Sequence, residues 1–262
     1  IDGVVRIKLS FVTPKMQELS MNFLKEFISR AKKIERGVLR MKFLDCIKAV
    51  VERICKSPMA AASVEFEEVL NQIYEIVVKW SSKSKHTTFC FQFIEGLLDV
   101  TFPSFFIKNH GVRFCELLCK AAKGGDVELL TLIANFVKHC PEEFTVSNID
   151  QFTKMFTDII LPILFSGNEK KRSPRFKNPQ QVDAVISILV ETGLRNMGTV
   201  VDFIRSTLVA EKPNDDMKRT RLICINVLGN IAEISPDKVS PYNDQLFPST
   251  EAILLQTSPG LF

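Results

Sequence analysis

Apolar residues recur every three or four positions in one segment of this chain after another. Leu44, Ile47 and Val51 form one such stripe, and Leu130 and Ile133 belong to a later one. A period of 3.6 residues is that of an α-helix with one apolar face. Alternation with period two, which indicates strands, is nearly absent, so we expect the chain to fold as packed amphipathic helices.

Breaks rich in glycine, proline and serine separate the stripes, as short turns between helices do. Asp126, Ser147 and Asp216 each stand just ahead of a stripe and are predicted helix N-caps, while Pro179 suits a first helical turn. The pattern predicts helices near residues 14–31, 38–56, 62–81, 86–101, 105–122, 126–140, 147–165, 179–192, 197–210, 216–234 and 242–257.

Taken in pairs, these helices begin at intervals of roughly 40 to 50 residues, close to the length of HEAT and armadillo repeats. Several of them are apolar over a wide arc, as a helix must be when it packs on its own partner and on adjacent pairs. The sequence therefore predicts an all-α fold, a HEAT/armadillo-like α-solenoid of about five helix pairs plus a terminal helix. We expect residues 1–262 to be a single solenoid segment of a larger protein, and a globular helical domain is the alternative.

Composition is that of a folded chain, with 46% apolar and 24% charged residues. No apolar run is long enough for a transmembrane helix, and the stretch 159–165 is interrupted by Pro162. The first ten residues lack the features of a signal peptide, so we expect the chain to start within a longer protein.

The apolar stripes also indicate which residues form the core. Trp80 ends one stripe beside a polar turn, and we expect its indole to pack between helices. The seven cysteines are an odd number, and most stand at apolar helical positions, which favours buried free thiols in a reducing compartment such as the cytoplasm. The cysteines predicted to lie in the core are Cys46, Cys55, Cys90, Cys115, Cys119 and Cys224.

No arrangement of residues indicates catalysis, a metal or a cofactor. Cys115 and Cys119 would share a helix face, but no second pair of ligands stands at matching spacing. Gly124 and Gly125 lie between two predicted helices without the preceding strand that a phosphate-binding loop needs, so we interpret them as a turn. We therefore predict that the chain is not an enzyme and has no cofactor.

One segment, the predicted interhelix loop 166–178, is strongly basic. It suits an acidic or phosphorylated partner or a nuclear localisation signal, and Ser173-Pro174 is a candidate phosphorylation site. The alternative is a solvated connector that only keeps the chain soluble. The basic residues concerned are Lys170, Lys171, Arg172, Arg175 and Lys177.

In an up-down helical array, alternate turns lie on the same edge. The turns after the first, third and seventh predicted helices are basic, so this edge carries a surplus of positive charge that is predicted to bind a protein partner. Phe176 is the one aromatic residue among these cations in the sequence, which does not favour nucleic acid. This basic edge consists of the loop residues already named together with Lys32, Lys33, Arg36, Lys83 and Lys85.

The chain resembles the N-terminal HEAT-like region of the Furry proteins, large scaffolds of cell morphogenesis. The resemblance preserves sequence order and extends over nearly the whole chain. It rests on the segments Val4–Leu9, Leu19–Leu24, Ile73–Tyr74, Trp80–His86, Pro103–Phe106, the basic residues 170–177, 182–208 and Arg219–Ile234.

The resemblance implies a scaffold that acts with NDR-type kinases and their Mob coactivators in polarised growth and cytoskeletal control. We accordingly expect a non-catalytic protein-interaction scaffold in the cytoplasm, the cell cortex included. The alternative is a HEAT-type transport or RNA-processing adaptor. A formal net charge of +4 is modest for a protein that binds nucleic acid.

Overall fold

The computed structural model is helical throughout almost all of the residues that it describes. Those residues contain no strand, which confirms the all-α class predicted from the apolar period. The chain divides into two compact units, Ile1–Phe114 and Cys115–Phe262. The described residues are 14–31, 33–34, 37–56, 63–81, 87–98, 103–165, 178–208 and 215–246.

Among its described residues, the first unit contains four helices and the beginning of a fifth, close to the predicted positions. They are α1 (Pro14–Ala31), α2 (Gly37–Cys55), α3 (Val64–Ser81), α4 (Thr87–Leu98) and α5 (Pro103–Ala122), which continues into the residues of the second unit.

Helices of the first unit pack on neighbours both one and two positions away in the sequence. Helix α1 packs on α2 and α3, α2 also packs on α4, and α3 packs on α4. The apolar arc of α3 is wide enough to serve several neighbours, because Phe66, Tyr74 and Val77 are all buried. Each helix therefore buries its apolar surface in more than one interface.

Helices α3 and α5 run in the same direction. The Asn71 Oδ1 atom lies 2.7 Å from the His110 Nε2 atom, and Arg113 donates hydrogen bonds to both carboxylate oxygens of Glu75 at 2.8 and 2.9 Å. The two contacts join residues 39 and 38 positions apart, and a nearly constant offset requires parallel helices. Burial lowers the pKa of His110, although the nearby Glu75 carboxylate acts in the opposite direction.

Trp80 is buried at the end of α3, with only 7% of its surface exposed. Its ring meets the edge of Phe43 at a centroid distance of 6.2 Å, and the Arg40 guanidinium lies 5.0 Å from the ring centroid. Both contacts come from α2, which confirms the predicted packing of the indole between helices. The guanidinium adds a cation–π interaction to the apolar contact.

Replacing Trp80 by alanine should lower the free energy of unfolding by about 3 kcal/mol or more, because an enclosed aromatic side chain is removed. Urea denaturation followed by circular dichroism measures this loss. Leu39→Ala is a suitable control in the same unit, because Leu39 is 49% exposed. Equal stability of the Trp80→Ala variant and the unmodified protein would contradict the packing described above.

The second unit begins with the end of α5 and contains several further helical segments. Between Ile149 and Phe165 the helix is continuous but changes from α to π and back to α. The segments are α6 (Val127–His139), α7 (Glu142–Ser147), α8 (Ile149–Met155), the π segment (Phe156–Ile160), α9 (Leu161–Phe165), α10 (Pro179–Arg195), α11 (Met197–Leu208), α12 (Asp215–Ile234) and α13 (Pro236–Val239), followed by a 3-10 turn (Ser240–Tyr242).

Two of the predicted helix starts are confirmed. The Asp126 carboxylate accepts a hydrogen bond from the Leu129 backbone N–H at 3.0 Å, so Asp126 caps α6. Pro179 is in the first turn of α10, where its missing N–H costs no hydrogen bond.

The prediction of one helix over 147–165 with Ser147 as its N-cap is wrong. Ser147 is the last residue of α7, and the break falls at Asn148. The Asn148 side-chain amide donates a hydrogen bond to the Phe144 carbonyl at 2.8 Å. Asparagine competes in this way with the regular backbone hydrogen bonds and interrupts the helix.

Asp216 is also not an N-cap, because α12 begins at Asp215 and Asp216 lies in its first turn. The predicted terminal helix 242–257 lies mainly outside the described residues, and residues 243–246 at its start are helical.

Helices α6 and α10 of the second unit are parallel neighbours. The Gln181 amide donates to the Gly125 carbonyl at 2.6 Å just before α6, and the Arg195 guanidinium donates to the Cys140 carbonyl at 3.0 Å just after it. These contacts have offsets of 56 and 55 residues, so the two helices keep one register along their length. Helix α10 also packs on α12, and α8 packs on α11.

The predicted turn at Gly124 and Gly125 is confirmed. Gly125 has a φ of +74°, and a Cβ atom there would lie 3.2 Å from the Gln181 side-chain amide nitrogen. Residues with a Cβ rarely adopt this left-handed conformation. A Cβ at Gly124 would meet nothing within 4 Å, so the two adjacent glycines have different roles.

Gly125→Ala should destabilise the protein by about 1–2 kcal/mol, because alanine is strained at positive φ. Gly124→Ala is the matched control and should change stability little or raise it slightly, since it restricts the unfolded chain. Thermal unfolding of the two variants measures the difference. Equal melting temperatures would contradict the conformational role of Gly125.

Four of the six cysteines predicted to lie in the core do so, and two are only half-buried. Cys46, Cys90, Cys115 and Cys224 are buried. Cys55 is the last residue of α2, where a helix end leaves it partly uncovered, and Cys119 faces a surface groove. The apolar period placed both cysteines on helices correctly, but the burial of each side chain depends on which residues pack opposite it.

Candidate functional site

The predicted basic edge lies almost entirely outside the described residues. Lys33 is described, and it is exposed in the turn after α1. For the other members, the position on one common edge stays a prediction. These residues are Lys32, Arg36, Lys83, Lys85, Lys170, Lys171, Arg172, Arg175 and Lys177.

Residues on both sides of the basic segment 166–178 lie beside the turn between α5 and α6. A Cβ atom on Gly125 would lie 3.9 Å from Ile163 of α9 and 3.2 Å from Gln181 of α10. The Gln181 hydrogen bond to the Gly125 carbonyl holds this arrangement. Ile163 and Gln181, the described residues that precede and follow the basic segment in the sequence, therefore both lie next to this turn.

A groove of about 450 Å³ lies in the second unit, between the end of α5 and the helix that starts with α8. Each side contributes four side chains at positions i, i+3, i+4 and i+7, which lie on one helical face. We call this the α5–α8 groove. Its lining residues are Glu116, Cys119 and Lys120 from α5, Lys123 directly after the end of α5, and Gln151, Lys154, Met155 and Asp158 from the opposite helix.

A polar contact bridges the groove at each end. The Gln151 amide donates to the Glu116 carboxylate at 3.2 Å, and the Lys123 ammonium donates to the Asp158 carboxylate at 3.2 Å. Both contacts join residues 35 positions apart, so the two helices are parallel and in register. The two bridges are seven residues apart on each side, which at the rise of an α-helix is a distance of about 10.5 Å.

Asp158 lies in the π segment, and Pro162 explains why the helix is distorted there. Proline has no backbone N–H, and its ring clashes with the carbonyl four residues earlier, which is that of Asp158. The backbone instead forms a wider turn, in which the Leu161 N–H donates to the Phe156 carbonyl. Such π turns occur often at functional sites.

The floor of the groove is formed by sulfur-containing side chains. Met155 is buried, and Cys119 is half-buried. A hydrogen bond with Cys115, together with burial and the nearby Asp158 and Glu116 carboxylates, raises the pKa of the Cys119 thiol far above its usual value. Cys119 is therefore a neutral thiol at physiological pH, and it offers a soft apolar surface.

The middle of the groove carries positive charge. Glu116 and Asp158 are engaged in the two bridges, and Lys123 is paired with Asp158. Lys120 and Lys154 are exposed, and neither forms an ion pair with another described residue. This arrangement suits an anionic ligand with an apolar part. Cys119 does not suit nucleophilic chemistry, because a protonated thiol is a poor nucleophile.

Sequence reasoning missed this groove, although it placed Cys115 and Cys119 on one helix face correctly. The two polar stripes lie 35 residues apart, and neither stands out from the other exposed helix faces. A search for matching i, i+3, i+4 and i+7 polar stripes on alternate helices would have found the pair. Within the described ranges, no group of three or more histidine, cysteine or acidic side chains is placed to hold a metal ion.

Cys119 should react with iodoacetamide at pH 8 more than tenfold more slowly in the folded protein than in urea, because the thiolate is the reactive form. Mass spectrometry of the digested protein measures the rate at this residue separately from the others. Alkylation at the same rate in both states would show that the hydrogen bond with Cys115 and the burial do not suppress the thiolate.

No family model, curated protein or solved structure matches this chain. No helix among the described residues is long and apolar enough to cross a membrane.

Proposed function

We propose that this chain is a segment of a HEAT-like α-solenoid that serves as a non-catalytic protein-interaction scaffold. The observation that carries this proposal is the parallel alignment of helices within each unit, α3 with α5 in the first unit and the end of α5 with the helix that starts at Ile149 in the second. Polar contacts between helices have offsets of 40, 39 and 38 residues in the first unit and 35 in the second. The offsets between α6 and α10 are longer, 56 and 55 residues, and the basic segment 166–178 lies between these two helices in the sequence. Helical solenoid repeats have lengths of roughly 34 to 47 residues.

A regular offset is what stacking of equivalent helices produces. Each repeat contributes one helix to each of two layers, and the equivalent helices of adjacent repeats lie side by side in the same direction. The outer face of a layer is then a broad surface of exposed side chains with grooves between helices. Repeat proteins use such surfaces to bind other proteins.

The resemblance to the Furry family supports a more specific proposal. The partner would be an NDR-type kinase with its Mob coactivator, and the place of action would be the cytoplasm, including the cell cortex, during polarised morphogenesis. The basic edge would attract an acidic or phosphorylated surface of that partner. The position of Ile163 and Gln181 beside the α5–α6 turn supports a role for the basic segment next to the α5–α8 groove.

Affinity purification of the tagged full-length protein from cells should recover the kinase and its coactivator. Reversing all five charges of the basic segment, from Lys170 to Lys177, should lower this recovery at least tenfold, because the electrostatic attraction is lost. Quantitative mass spectrometry of the captured proteins measures both results.

A matched control reverses five exposed lysines elsewhere, which gives the same change in net charge. This control should retain partner recovery. Recovery of transport cargo or RNA in place of the kinase would favour the adaptor alternative, and equal losses in both variants would remove the basic edge from the proposal. The control positions are Lys15, Lys42, Lys56, Lys108 and Lys138.

A further inference from the structure

We infer that the α5–α8 groove binds a short extended acidic segment of a partner protein. In this arrangement Lys120 and Lys154 pair with the carboxylates of the segment, and Met155 and Cys119 contact one apolar side chain between them. The inference rests on the proposed scaffold function and deepens it by naming a ligand class for one surface.

The charge of the groove selects an anion. The three lysines exceed the two carboxylates, and both carboxylates already have partners within the groove. Lys120 and Lys154 lie between the two bridges in the sequence, and they come from the two opposite helices that line the groove. An acidic ligand placed there gains two ion pairs without breaking any contact that the groove makes itself.

The dimensions of the groove select a short extended segment. The two bridges limit the central part to about 10.5 Å along the helices, the rise of seven helical residues. An extended chain rises about 3.3 Å per residue, so three residues span this distance. The volume of about 450 Å³ is also within the range typical of ligand sites.

The apolar floor of the groove favours an apolar side chain in the middle of the bound segment. Successive side chains of an extended chain point to opposite sides, so the central one can face the floor while its two neighbours lie near the rims. Thioether and neutral thiol groups form a polarizable surface that accepts apolar side chains of different shapes. The resulting pattern is carboxylate, apolar residue, carboxylate.

The cations favour carboxylates over phosphate. The groove contains only lysine ammonium groups, which act as point charges on flexible stems. Phosphate recognition in proteins more often relies on the planar, bidentate guanidinium of arginine, and none lines this groove. We therefore assign an aspartate- or glutamate-containing segment and treat a phosphopeptide as a competing outcome of the test.

The experiment uses the intact 262-residue chain and a fluorescein-labelled peptide in which glycines flank Asp-Leu-Glu. Fluorescence anisotropy should show binding that weakens as salt concentration rises, as expected for ion pairs at an exposed site. The amide analogue Asn-Leu-Gln should bind at least tenfold more weakly. Failure of the acidic peptide to bind, or equal binding of the amide analogue, would overturn the inference.

The double variant Lys120→Glu/Lys154→Glu should lower the affinity for the acidic peptide at least tenfold. Lys42→Glu/Lys108→Glu changes the net charge equally at exposed positions that do not line the groove, and it should change the affinity less than twofold. All four side chains are exposed, so circular dichroism should show that both variants fold. Equal affinities of the two variants would contradict the assignment.

Carbodiimide cross-linking locates the peptide independently. It joins a carboxylate to a neighbouring lysine amine, and mass spectrometry should find the products at Lys120 and Lys154. Cross-links confined to other lysines would overturn the inference, as would a phosphoserine peptide that binds more than tenfold more tightly than the aspartate peptide.

The outcomes separate this inference from the proposed function. Capture of the kinase complex from cells without peptide binding would leave the scaffold and remove the ligand assigned to the groove. Peptide binding at Lys120 and Lys154 without capture of the kinase complex would leave the groove and remove the kinase partner.

Discussion

The apolar surface of the long helices is too wide for one neighbouring helix to cover. In α3 the side chains of Phe66, Tyr74 and Val77 are all buried, and the helix packs against α1 as well as α4. Hydrophobic burial is the main favourable term in folding, so a helix with this pattern must acquire several neighbours. Helices two positions apart therefore lie side by side, and the polar contacts between their exposed faces follow from this packing.

The α5–α8 groove is a local consequence of the same arrangement. Two parallel helices in register present matching polar stripes, so contacts form where complementary side chains meet and a gap remains where they do not. Gln151 and Asp158 meet Glu116 and Lys123, whereas Lys120 and Lys154 line the groove between these two contacts. Two cations in one groove favour an anionic ligand.

Much of the fold could be predicted from the sequence because local patterns decide it. The apolar period located the helices, Asp126 indicated a helix start, and the two glycines at 124 and 125 indicated a turn. The break at Asn148 and the π segment before Pro162 depend on competition between particular hydrogen bonds, which periodicity does not report. The groove could not be predicted, because it joins two ordinary polar stripes whose register is set by tertiary packing.

The parallel register of neighbouring helices is the central claim, and site-specific photo-cross-linking tests it most directly. Benzoylphenylalanine placed at Gln151 should cross-link near Glu116, and at Asp158 it should cross-link near Lys123. Mass spectrometry of the products locates each cross-link along α5. The product from position 158 should lie about two helical turns further toward the C-terminal end of α5 than the product from position 151. A shift in the opposite direction, or cross-links far from both Glu116 and Lys123, would contradict the parallel arrangement.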